Sequence, residues 1–195
     1  VTNELDRLGM TKAEFKVACD VKETDHGYTV PVDGKKLAVT AKGINQVEFL
    51  IRSNPGEPFK PLVNVASGGE ISRVMLALKS LLAESDNVPV LIFDEIDAGI
   101  SGRVAQAVGV SLRKLAKRHQ VICITHLPQI ASMAQYHYLV EKSVEADRTQ
   151  TRIQRLDASE HQKQIARLFG GETVTDAHLK SAADLIAEAE ELVKK

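Results

Sequence analysis

The chain has 195 residues, enough for one domain or a domain and a small part. Apolar residues make up 44 % of it and charged residues 26 %, the balance of a globular protein with a real core. A net charge of −1 excludes a domain that is basic as a whole, so any DNA contact must come from a local patch, a dimer surface or a part of the protein outside this chain.

The helical spacing of Val1, Leu5 and Leu8, closed by Gly9, reads as the tail of a longer helix, and Val1 in place of Met fits a fragment or a processed chain. Alternating residues then predict strands over 14–20, 28–32, 36–40 and 46–52, with Asp33-Gly34 as a hairpin signal and Asn54-Pro55-Gly56 as a stop. From Val63 the pattern changes to alternating strand and helix. Helices are expected over residues 70–83 and 101–118, and buried strands over 88–93 and 120–125. Lys114, Lys117 and Arg118 suit the C-terminal end of the second of these helices. Strands over 136–141 and 151–156 follow, then amphipathic helices over 159–169 and 175–195 separated by Gly170-Gly171. Continuous apolar strands alternating with helices predict an α/β fold with a mostly parallel sheet covered by helices on both faces, preceded by a β-rich segment.

The longest apolar run, residues 88–93, is far too short to span a bilayer. Cys19 and Cys123 give no disulfide framework, which points to the cytoplasm. His119, Cys123 and His126 are close in sequence, but Cys123 lies inside an apolar strand and no second cysteine pair completes a zinc site.

Three places carry chemistry. Ser67-Gly68-Gly69-Glu70 stands where a loop enters a helix. Two glycines let a ligand approach the backbone, and the free N–H groups and dipole of the first turn suit a phosphate. Ser-x-x-Glu is equally a capping box, and Gly170-Gly171-Glu172 shows how cheaply Gly-Gly-Glu arises. Next, the apolar run 88–93 delivers Asp94 and Glu95 at a strand end, where open α/β sheets bind ligands. One carboxylate can hold Mg²⁺ and the other can orient and deprotonate a water. Finally, a second apolar strand ends at His126. A strand–helix–strand crossover makes the two strands parallel, so His126 and the carboxylates share one edge, within reach of a γ-phosphate.

In this order the three resemble the signature motif, Walker B element and switch histidine of ABC ATPases. The strings 65–73, 93–102 and 124–129 are similar to those of the RecN family, bacterial DNA-repair relatives of the SMC proteins, and residues 8–10, 47–51, 54–56 and 165–167 also fit. The resemblance implies the C-terminal lobe of an ABC-type P-loop ATPase head over residues 11–195, with the end of a coiled-coil arm over 1–10. It implies Asp94 on Mg²⁺, Glu95 as general base, His126 at the γ-phosphate, and Ser67, Gly68, Gly69 and Glu70 at an ATP held by the partner head. Transporters usually carry Asp where Ser101 stands, so either Asp97 or Ser101 is expected to contact the partner head. No Gly-x-x-x-x-Gly-Lys-Ser/Thr loop occurs, and Gly34-Lys35-Lys36 lacks the upstream glycine. The resemblance accounts for this with a split head whose Walker A half is N-terminal.

The expected partners are therefore that half, a second head in a homodimer, and DNA bound without sequence preference. No membrane partner is expected, and the place of action is the cytoplasm at the nucleoid. ATP and Mg²⁺ are the expected cofactors, and this lobe alone is expected to be inactive. Two rivals stand beside this. A transporter ATPase would carry Walker A in the same continuous domain and a helical segment before Ser67, where this chain is β-rich. A non-enzymatic dimerisation module would not need Asp94, Glu95 and His126 intact.

Overall fold

The computed structural model describes residues 1–145, 148–171 and 173–194; Glu172 and Lys195, which belong to the expected Gly-Gly-Glu repeat and last helix, lie outside the described residues. The first helix, α1 (Thr2–Arg7), is short. Its Leu5 and the following Leu8 are fully buried in the main core. Gly9 follows at φ +83°, and a Cβ there would sit 2.6 Å from Val104 Cγ1, so the chain turns off α1 directly against a later helix.

The β-rich segment forms two small antiparallel sheets. In one, β1 (Glu14–Val21) pairs with β4 (Asn45–Arg52), which pairs with the short β5 (Lys60–Pro61). In the other, β2 (Thr29–Val32) and β3 (Lys35–Ala38) form the expected hairpin. Its two turn residues, Asp33 and Gly34, both have positive φ, 48° and 77°, as a tight hairpin turn demands. A 3₁₀ turn over Leu62–Asn64 leads to the first long helix, α2 (Gly68–Leu82).

The centre is the unit β6 (Val90–Phe93), α3 (Gly102–Leu115), β7 (Gln120–Cys123), with β6 and β7 parallel as expected. A short helix α4 (Pro128–Ala131) follows. The hairpin β8 (Tyr138–Glu145) and β9 (Arg148–Arg155) then leads to α5 (Ala158–Gly170) and α6 (Asp176–Lys194). Asp157 and Glu160 make a complete capping box at the start of α5. The chain leaves that helix at Gly171, with φ +74°, as the Gly170-Gly171 stop predicts.

Two expectations need correction. The sheet is not mostly parallel: among the described residues β6–β7 is the one parallel pair, and every other strand pair is antiparallel. Parallel neighbours need a crossover of a dozen residues or more, and among the paired strands described only β6 and β7 are joined by a helical one, α3. Nor is the parallel pair covered on both faces. Leu91 and Phe93 are buried under α2 and α3, while Val90, Ile92, Ile122 and Ile124 on the opposite face are 40, 67, 45 and 57 % exposed. A run that is apolar on both faces asks for two covers, and the described chain provides one.

The main core gathers Leu5, Leu8, Val74, Leu76, Ile96 and Val108, all fully buried. Each such side chain contributes about 1.5–3 kcal/mol relative to exposure. It is this core that fixes α2 and α3 against the buried face of β6. A second cluster, Ala131, Ile165, Ala166 and Ala182, joins α4, α5 and α6. His119 is buried behind the parallel pair with Nδ1 2.7 Å from the Val88 carbonyl, so its ring braces the start of β6.

Candidate functional site

Asp94 and Glu95 follow the last residue of β6, and His126 lies three residues beyond β7. The parallel register is continued by the Ile124 N–H, which donates to the Phe93 carbonyl at 3.0 Å. Both ends therefore open on one edge, as the crossover predicts. Asp94 and Glu95 are exposed. Asp94 Oδ1 accepts the Glu95 N–H at 2.9 Å, which orients one oxygen and leaves the other for solvent or a cation. No group of three metal-ligating side chains occurs among the described residues. A free Asp94 carboxylate oxygen is the hard donor that suits Mg²⁺, which is commonly held by one or two carboxylates together with phosphate oxygens and waters.

Among the described residues, Glu95 is one of two non-glycine residues with positive φ, at 55°. This left-handed conformation costs about 1–2 kcal/mol for a residue with a Cβ. It turns the Glu95 side chain onto the first turn of α2, where a Cβ added to Gly68 would lie 2.1 Å from Glu95 Oε2. At Gly69, a Cβ would meet Ala98 Cβ at 2.9 Å, the Glu95 carbonyl at 3.0 Å and the Ala98 carbonyl at 3.1 Å. The sequence reading gave these glycines to an approaching ligand. In the fold their missing side chains first admit the chain's own loop, residues 95–98.

Ser67 and Gly68 are exposed at the head of α2. Ser67 is the N-cap and accepts the Glu70 N–H at 3.4 Å. The reciprocal half of a capping box is absent here, because the Glu70 carboxylate accepts instead from Ser53 Oγ at 3.0 Å. Ser67 thus caps weakly and keeps its hydroxyl at the surface.

Asp97 and Ser101 were the two candidates for a partner contact. Asp97 is turned inward, 5 % exposed. Its Oδ2 accepts from Thr125 Oγ1 at 2.6 Å and from the His126 N–H at 2.9 Å, and lies 3.0 Å from His126 Nδ1. One oxygen of this carboxylate is thus engaged inside the protein, with little of the side chain at the surface. Ser101 is exposed, the N-cap of α3 without a side-chain cap bond. The His126 side chain is 75 % exposed, with Nδ1 3.0 Å from Asp97 Oδ2.

Sequence reasoning missed Thr125 and the inward role of Asp97. It also missed Ser72 and Arg73 on α2, which bind the main chain of the carboxylate loop. Ser72 Oγ donates to the Asp94 carbonyl at 2.7 Å, and Arg73 Nη1 donates to the carbonyls of Ile96 at 3.3 Å and Ala98 at 2.8 Å. A hydroxyl and a guanidinium inside an amphipathic helix, facing the core side, were the available signal. Cys123 sits behind the carboxylates, and burial together with Asp97 and Asp94 pushes its thiol up to about 12. It is a protonated, space-filling residue at neutral pH. A groove of about 1000 Å³ lies elsewhere, between the β8–β9 hairpin and α6, and includes His137, Arg155, His161, Ile186 and Glu190 in its lining.

No family model matches the chain. It is 42 % identical over 193 residues to a protein named DNA repair protein RecN from Bacillus subtilis, covering 98 % of this chain and 34 % of that protein. It is 38 % identical over 189 residues to the protein of the same name from Vibrio cholerae, covering 97 % and 32 %. The chain thus spans about a third of the length of the curated relatives it matches. Among solved structures, the Smc head domain with an extended coiled coil bound to the C-terminal domain of ScpA, derived from Pyrococcus furiosus, matches with a TM-score of 0.50 at 18 % identity. That match covers 86 % of this chain and 36 % of the other, and it establishes an α/β fold of the ATPase-head type.

Proposed function

We propose that this chain, similar to RecN proteins over nearly its whole length and to about a third of theirs, is the C-terminal lobe of a split ATPase head that serves DNA double-strand-break repair and recombination. The observation that carries the reading is the shared edge of the parallel pair. Asp94 and Glu95 leave β6 there, His126 leaves the neighbouring β7, and the head of α2 lies alongside.

In this reading the substrate is ATP, bound between two heads. Bound at Asp94, Mg²⁺ supplies charge neutralisation at the phosphates. Glu95 orients a water and takes its proton. His126 offers Nε2 toward the terminal phosphate while Asp97 holds the other ring nitrogen. Ser67, Gly68, Gly69 and Glu70 head the helix that meets the phosphates of the partner head, where free N–H groups and the helix dipole favour an anion. Ser101, exposed at the head of α3, contacts that head.

The Walker A half comes from the N-terminal part of the same protein. The bare apolar face of β6–β7, with Val90, Ile92, Ile122 and Ile124, is the surface it covers. Residues 1–10 join the head to a coiled-coil arm. DNA is bound without sequence preference, in the cytoplasm at the nucleoid. No helix among the described residues is long and apolar enough to cross a membrane.

The test is an ATPase assay of this chain alone, of this chain with the N-terminal half added, and of the same pair carrying Glu95→Gln. Turnover should be absent from the first sample and present in the second, and the third should be slower than the second by at least about a hundredfold while still binding ATP. Equal turnover with and without the added half rejects the split head; normal turnover by Glu95→Gln rejects the assignment of the base.

A further inference from the structure

The carboxylate loop is held to α2 by two consecutive side chains of the helix. Ser72 Oγ binds the carbonyl of Asp94 at 2.7 Å, immediately before Glu95. Arg73 Nη1 binds the carbonyl of Ile96 at 3.3 Å, immediately after it, and that of Ala98 at 2.8 Å. The peptide unit just before the left-handed Glu95 and the one between Ile96 and Asp97 are therefore both tied to one helix. Below them, the Cβ-free flank of Gly69 lets the same loop press on the first turn of α2.

Arg73 is 6 % exposed, with its Nε buried and unpartnered. A buried guanidinium is normally matched by a carboxylate; here the cation is spent on main-chain carbonyls. Burial pulls its pKa below the ordinary value, with Glu70 opposing, yet an arginine stays charged. An apolar side chain would fill this place without stranding a donor, but it would release the loop.

We infer that Ser72 and Arg73 are positioning residues for hydrolysis, which clamp the backbone on both sides of Glu95 and so tie the orientation of its carboxylate to the helix whose first turn carries Ser67, Gly68 and Gly69. The inference rests on the function proposed above. Its mechanical content is that a load on the head of α2, such as a docking partner head, reaches Glu95 through two side chains and no intervening hinge. Losing either bond leaves the substrate pocket in place and lets Glu95 leave the left-handed region for one in which its carboxylate points elsewhere.

The experiment uses the full-length protein with both lobes and measures kcat and KM for ATP. Arg73→Met keeps the bulk and removes the donors; Ser72→Ala removes one hydroxyl. Each should lower kcat, by about tenfold or more for Arg73→Met, because a displaced reacting group forfeits its orientation. KM should stay within about twofold, since the phosphate contacts are elsewhere. In a Glu95→Gln background neither substitution should lower kcat further, because both act through the residue already lost. A purely structural role would show losses that multiply with Glu95→Gln, and that outcome overturns the inference, as does an unchanged kcat in folded variants. Should Arg73→Met fail to fold, Ser72→Ala decides alone. If the unmodified protein does not hydrolyse ATP, or Glu95→Gln leaves kcat intact, the function proposed above fails and this inference falls with it; normal unmodified turnover, lost in Glu95→Gln but kept in Arg73→Met and Ser72→Ala, rejects the positioning role only.

Discussion

Asp97 Oδ2 lies 3.0 Å from His126 Nδ1, a contact between a carboxylate 5 % exposed and a histidine side chain 75 % exposed. The same oxygen also accepts the Thr125 hydroxyl and the His126 N–H, so one buried atom sets both the backbone after β7 and the ring it carries. Asp97→Ala leaves those donors unpaired. It should destabilise this chain by about 1–3 kcal/mol, measured by urea unfolding. Under the function proposed above, Asp97→Asn in the full-length protein should lower kcat for ATP by about tenfold or more by mispositioning His126. A variant with unchanged stability and unchanged kcat would show that the contact carries neither load.

The His137 and His161 rings meet edge to face with their Nδ1 atoms 2.9 Å apart, both half-buried. Burial lowers the pKa of each, and His161 lowers that of His137 further. The sign follows from linkage: the folded pair binds protons less readily than the unfolded chain, whose histidines titrate near 6.5. The pair's contribution is therefore full above about pH 6.5 and is lost as the pH falls through the lowered folded values. The urea midpoint should drop between pH 7.5 and pH 5, and by less in His161→Gln. An identical drop in that variant would place the pH dependence elsewhere.

Cys19 is exposed on β1, whereas the Cys123 thiol is pushed up to about 12. At pH 8 a thiol reagent should label Cys19 rapidly and leave Cys123 unmodified until the chain is unfolded, as mass spectrometry of the peptides will show. Rapid double labelling of the folded chain would mean that the strand end bearing Cys123 opens in solution.

Gly109 is buried where α3 crosses α4. A Cβ there would lie 2.9 Å from Met133 Cγ and 3.2 Å from the Gln129 carbonyl. Gly109→Val should cost about 1–3 kcal/mol by overpacking. Gly109→Ala sets a helix gain of about 1 kcal/mol against the smaller clash. Combining it with Met133→Ala should restore part of any loss, and strict additivity of the two in urea unfolding would argue against direct contact.

Much of this was legible in the sequence, and the limits have physical reasons. The helix expected over residues 101–118 runs Gly102–Leu115, because the apolar stripe ends at Leu115 and Lys117 and Arg118 fall in the turn beyond. The strand before Asp94 was readable as a buried run, yet a run that is apolar on both faces cannot say whether both covers belong to the same chain. The short helix α4 was missed although Pro128, a residue suited to a first helical turn, marks its start. The order of Ser67, Asp94, Glu95 and His126 was visible because each motif is local. The inward turn of Asp97 was not, since its partner Thr125 lies 28 residues away and an aspartate in a loop carries no sign of its burial. Ser72 and Arg73 were hidden for a similar reason: their acceptors are main-chain carbonyls, which every residue offers alike.

The bare side of the β6–β7 pair has a consequence for handling this chain by itself. Self-association through Val90, Ile92, Ile122 and Ile124 would start from the native state, so it needs no unfolding step. Added denaturation resistance would then do nothing for solubility, whereas cooling, which weakens hydrophobic attraction, would help. Particle size against concentration at two temperatures, both well below the thermal midpoint, would separate this sticking of intact molecules from the aggregation of unfolded ones.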